Sequence, residues 1–152
     1  MKKPVRLFVQ LHHEILDTPA WRSMPPAARC LYAVLRRRYN QTRNNNGGIF
    51  ISQRDAAEEL GLARPTVAAA FQALVHFGFI VMTQPATLGP DGKGSATHWR
   101  LTELETADAP PTMDFKNWNG TRFRRPRKRS RPRTLKTFST IREHASCAGA
   151  KR

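Results

Sequence analysis

The stretch "LGLARPTVAAAFQALVHFGFI", residues 60–80, constrains this chain more than any other. Between Gly61 and Gly78 its apolar residues recur at three- and four-residue steps, the period of an amphipathic helix. At about 100° per residue, Val67, Ala70, Phe71 and Leu74 share one face, with Val75 and Phe77 on its flanks. The opposite face presents Pro65, Ala69, Gln72 and His76, flanked by Ala68 and Ala73. A surface helix ordinarily carries charge on that side, and this one carries methyl groups. Such a face suits a helix covered by another element or chain, where alanine allows close packing. It also suits a helix whose outer side is reserved for a partner.

Charge favours the second explanation. The 152 residues carry a formal net charge of +15, which points to a polyanion, nucleic acid before a membrane surface. The charge is uneven: residues 1–118 hold 14 Lys/Arg against 10 Asp/Glu, residues 119–152 hold 12 against 1. Composition changes near "TADAPPTM", so we expect a folded domain at 5–105 and a linker at 106–118 in which Phe115 and Trp118 are candidates to dock back. A basic tail follows at 119–152, expected to be disordered because "TRFRRPRKRSRPR" has few apolar residues to offset its ordering entropy. Cys30 and Cys147 have no metal-ligand spacing and read as reduced thiols of a cytoplasmic protein. The N-terminal run is broken by Arg6, Gln10 and two histidines, a poor secretory signal, and no run approaches the roughly 18 apolar residues of a membrane span.

The order of elements follows from punctuation. Pro25 and Pro26 suit the start of a helix with Ala28, Leu31, Leu35 and Tyr39 on its apolar side, and Arg36 to Arg38 close it favourably. Before it lies a short apolar lead-in with Leu11, Ile15, Leu16 and Trp21 as anchors. "NQTRNNNGG" reads as a loop and Ile49–Ile51 as a short strand. Ser52 is placed to cap "QRDAAEEL", a helix that Gly61 ends. Helix 64–77 follows, then strand "FIVMT", a flexible connection and a returning strand "SATHWRLT" in which Trp99 rather than His98 faces inward. The fold class is therefore mainly α with a small β-hairpin (α+β).

Two short helices across a glycine-containing turn describe a helix-turn-helix, and a hairpin directly after the second helix describes a wing. On Ala56, Leu60, Gly61, Thr66, Val67, Leu74, Gly78, Phe79 and Ile80, the chain resembles the winged helix-turn-helix modules of GntR-type and MarR-type regulators over residues 25–102. It is also similar to the N-terminal modules of plasmid replication initiators. It departs at Ala63, where those families place a serine that caps the second helix. The resemblance implies double-stranded DNA as partner, with helix 64–77 in the major groove and the 85–94 wing on the backbone or minor groove.

On that reading small side chains let the helix backbone approach base edges in a groove about 12 Å wide, and alanine methyls meet thymine methyls. Pro65, Ala68 and Ala69 form this surface, Arg64 reads guanine, Gln72 reads adenine, and Thr66 and His76 contact phosphate. Further phosphate contacts fall to Arg54, Lys93, Arg100 and, in the tail, Arg122, Arg124, Arg125, Arg127, Lys128, Arg129, Arg131 and Arg133. We expect no catalytic residue, metal or cofactor: His12 and His13 lack a third ligand, and "GPDGKGS" lacks the spacing of a phosphate loop. Transcriptional regulation is the first reading, with no separate effector domain after residue 105. A replication or recombination accessory protein of a plasmid, phage or integrative element is the alternative. An RNA- or ribosome-associated protein acting through its tail is the second, and a homodimer through the first helix or the lead-in stays open.

Overall fold

A computed structural model describes residues 8–88 and 94–126. Its elements run α1 (His13–Leu16), α2 (Pro19–Ser23), α3 (Pro26–Arg38), β1 (Ile49–Phe50), α4 (Gln53–Leu60), α5 (Arg64–His76), β2 (Ile80–Gln84), β3 (Thr87–Leu88), β4 (Gly94–Ser95) and β5 (His98–Leu101), closing with a 3-10 turn at Asp114–Asn117. Among the described residues the architecture is α+β, five helices with a small antiparallel sheet in the order β1-β5-β2.

The helix boundaries have local causes. Thr18 accepts from the Trp21 amide to start α2, and Ser52 Oγ accepts from the Asp55 amide at 3.0 Å to start α4. Proline stands in the first turns of α2, α3 and α5, where the missing amide proton costs nothing. The apolar lead-in is thus two short helices. One face of α3 buries Ala28, Leu31, Tyr32, Val34 and Leu35, and packs chiefly against α5.

Strand β5 is central. Ile49 pairs with Trp99, and Ile80 and Val81 pair with Leu101 and Arg100. A register shift between Met82 and Gln84 marks where the hairpin leaves the sheet. Within the connection expected to be flexible, Thr87 pairs with Ser95 and Leu88 with Gly94, so the hairpin is longer than its composition suggests. Alternation buries Trp99 and Leu101 and turns His98 and Arg100 to the other face, where His98 meets the Phe50 ring at 5.7 Å.

The loop before β1 does more than turn. Asn46 is buried: its Oδ1 accepts from the Leu101 amide at 2.7 Å, and its Nδ2 donates to the carbonyls of Leu101 and Leu104 at 3.0 and 2.9 Å. Asn45 Nδ2 donates to the Arg38 carbonyl and so finishes α3.

The arginines that close α3 do not serve the helix dipole alone. Arg36 lies 2.7 Å from Glu103 with both side chains nearly buried, an ion pair whose N–H points off the line to the carboxylate. Tyr32 lies beside this carboxylate, and burial first, then Glu103, pushes its phenol well above its ordinary range. Arg38 and Arg37 both reach Glu59 of α4, at 2.7 and 3.4 Å. Arg38 donates to the Glu59 carboxylate and holds it below the usual carboxylate range.

The packed body does not stop at 105. Met113 takes positive φ, and the next turn inserts Phe115 into the core, 1% exposed and stacked on Phe79 at 4.8 Å. Phe115 and Trp118, the candidates to dock back, both pack on the body, and contacts persist to Phe123, inside the segment assigned to the tail. Gly78 makes this close approach feasible: a Cβ there would lie 2.8 Å from the Asp114 carbonyl carbon.

Candidate nucleic-acid interface

Helices α4 and α5 meet across three residues. Gly61 takes the left-handed conformation that ends α4, φ 63° and ψ 31°, and the Leu62 amide donates to the Ala57 carbonyl. Ala63 stands at the N-cap of α5 with extended backbone but no side-chain acceptor, and Arg64 and Pro65 begin the helix exposed. The first turn is held by backbone alone, with the Thr66 and Val67 amides both donating to the Ala63 carbonyl.

Val67, Ala70, Phe71, Ala73 and Leu74 of α5 are buried. Ala73 therefore belongs to the core, a correction to its place beside the outer face. At about 100° per residue it lies at the margin between the inner and outward faces, and neighbouring packing decides between them. Val75 moves the other way: expected at the margin of the inner face, it is 46% exposed. Phe77 is the C-cap rather than the last helical residue, and it is buried.

What stays open is a stripe. Arg64, Pro65, Gln72 and His76 are exposed and Thr66, Ala68 and Ala69 half-buried, so neither Ala69 nor Gln72 is shut inside. Beside the stripe is a groove of about 600 Å³. Ala68, Gln72 and Val75 form one wall, Met82 and Ala96 of the hairpin the other, and the stacked pair Phe71–Trp99 (5.1 Å) lies between them. The wall residues carry no formal charge, so cations must come from outside it.

The expected cations divide into four groups. Arg54 is exposed on α4, near the capped N-terminus that borders the groove. Arg100 is not brought to the stripe: it lies on the sheet face opposite Trp99, half-buried, its guanidinium 3.5 Å from Thr112 Oγ1. Strand alternation is the reason, since Trp99 turned toward α5 forces Arg100 away. Arg122, Arg124 and Arg125 are exposed just beyond α5. Lys93, Arg127, Lys128, Arg129, Arg131 and Arg133 lie outside the described residues.

His76 has an occupied ring. Its Nε2 is 2.7 Å from the Thr121 carbonyl, so that nitrogen carries the proton, and the ring packs against Phe123 at 5.6 Å. The expected phosphate contact by His76 gives way to a structural one. Segment 118–123, whose role at the end of α5 was missed from the sequence, takes its place there; the aromatic residues of "DFKNWNGTRF" were the available signal.

Among the described residues no helix is long and apolar enough to cross a membrane, and no group of three or more His, Cys, Asp or Glu is placed to hold a metal ion. Cys30 is a free, exposed thiol. No family model matches the chain, and no curated protein or solved structure shows significant similarity to it.

Proposed function

We propose that this chain is a winged helix-turn-helix protein that binds double-stranded DNA, most simply as a transcriptional regulator. The observation that carries the reading is the open stripe of α5, small side chains around one exposed amide, Gln72, in a protein of net charge +15. The three-residue turn at Gly61 and the hairpin beside α5 support the same reading.

In this reading the outer side of α5 enters the major groove, where Gln72 pairs with adenine N6 and N7 and Arg64 with guanine. Few base-reading groups stand on the helix, so most affinity comes from cations against phosphate. If about six phosphates are neutralised, log affinity falls with log salt at a slope near −5. Selection of bound duplexes from a random library, followed by salt titration of the best, tests this. An enriched motif with a steep salt slope is the expected result; indifference to both sequence and salt contradicts it. Truncation should be made after Pro126, because Phe123 packs on Phe77 and removal from 119 disturbs the body as well as the arm. A duplex footprint surviving that cut separates this reading from one in which the arginine run alone binds RNA.

A further inference from the structure

We propose that residues 113–123 form a strap that sets Arg122, Arg124 and Arg125 at the C-terminal end of α5. The outer stripe of the helix and these three arginines then make one continuous surface for a nucleic-acid duplex. Base edges lie against the stripe, and phosphates flanking that end lie against Arg122, Arg124 and Arg125. This rests on the DNA-binding reading above and adds to it a fixed place for these cations.

The stripe from Arg64 to His76 is about 18 Å long at 1.5 Å per residue, and His76 follows Gln72 by one turn on the same side. At that point one backbone carbonyl, that of Thr121, accepts from two rings, His76 Nε2 at 2.7 Å and Trp118 Nε1 at 3.2 Å. The Thr121 amide and hydroxyl both donate to Asn119 Oδ1, closing a tight turn in which Gly120 takes positive φ. Phe123 then packs beside His76 and Phe77. Upstream, Phe115 sits in the core and Lys116 pairs with Glu14 of α1. A run that served solubility alone would need no such anchorage.

The consequence is directional. Phe123 points in and Arg122 and Arg124 are exposed on either side of it, so cationic side chains begin where the stripe ends. Cations held at a fixed place bind neighbouring phosphates at a higher effective concentration than the same cations on a free chain end.

The test uses the full chain and a selected duplex. His76→Ala with Phe123→Ala releases the strap without removing Phe115 or any Lys/Arg. We expect about a tenfold loss of affinity with the salt slope unchanged, because the cations remain but their placement does not. Hydroxyl-radical footprinting should show protection extended on one flank in the wild type and lost in the release variant. His76→Gln with Phe123→Leu, which keeps a donor and an apolar contact, should restore both. Changing Arg122, Arg124 and Arg125 to Gln should lower the slope by about 3. Circular dichroism checks that each variant folds, and the restoring pair separates loss of anchorage from loss of fold. Wild-type affinity and flank protection in a folded release variant would overturn the strap while leaving the DNA-binding reading intact. A wild type that binds no duplex would overturn both.

Discussion

The two ends of α5 differ sharply. Its N-terminal end is open: Ala63 offers no cap, and Arg64 and Pro65 project into solvent. Its C-terminal end is enclosed, with Phe77, Trp118, Phe123, Phe79 and Phe115 gathered around Gly78. One end of the helix is thus built into the fold and the other is left open. Alanine shows a second division, by face rather than by end, since Ala70 and Ala73 are buried while Ala68 and Ala69 lie along the open stripe. A methyl group takes its role from its surroundings.

The largest test of this contrast removes the ring that fills the enclosed end. Phe115→Ala leaves a cavity beneath Phe79 and should lower unfolding free energy by about 4 kcal/mol in urea denaturation. A loss below about 1 kcal/mol would show that residues 106–118 contribute little to the fold.

The two glycines that border the helices give the next comparison. Gly78 has φ 76° and its added Cβ would collide with the Asp114–Phe115 backbone, whereas Gly61 has φ 63° with nothing within 4 Å. Gly78→Ala should cost about 3 kcal/mol and Gly61→Ala about 1 kcal/mol, so equal losses would remove the distinction between crowded and open positions.

At the open end the sign reverses. Ala63→Ser supplies the missing acceptor for the Thr66 amide and should stabilise by about 1 kcal/mol, read as a higher urea midpoint. The smallest effect concerns the brace behind that end, Arg38 on Glu59. Glu59's carboxyl is lowered in the folded state, so its contribution is present above its unfolded value near 4.3 and is lost as pH falls through the lower folded value. Arg38→Gln should therefore flatten acid destabilisation below pH 5 by no more than about 0.5 kcal/mol, the scale of a partly exposed pair.

The cores of α3, α4 and α5 were legible because proline, serine and glycine mark their ends and the apolar period runs between them. Trp99 was legible from strand alternation. Ala73 was not, because periodicity alone leaves an alanine at the edge of a face without an owner. The strap was legible in part. Phe115 and Trp118 stood out as aromatics able to dock back, but where they dock shows only when Gly78, 37 residues before Phe115, is seen to leave room for its backbone. Asn46 was likewise lost in an asparagine-rich loop, since its partners at Leu101 and Leu104 are more than 50 residues away. Contacts of long sequence separation leave little trace in local pattern. The candidate interface followed the same division, its helix face read from period and the arm's anchorage only from tertiary contact.

Duplex affinity of Gln72→Glu, measured beside the wild type at equal salt, tests the central claim most directly. The change is isosteric at an exposed position, so the fold should be untouched while one negative charge enters the stripe. If that stripe lies against DNA, affinity falls by about 30-fold or more, because an amide that paired with a base becomes a carboxylate facing phosphates and acceptor edges. Affinity equal to wild type would mean that the outer face of α5 does not meet the duplex.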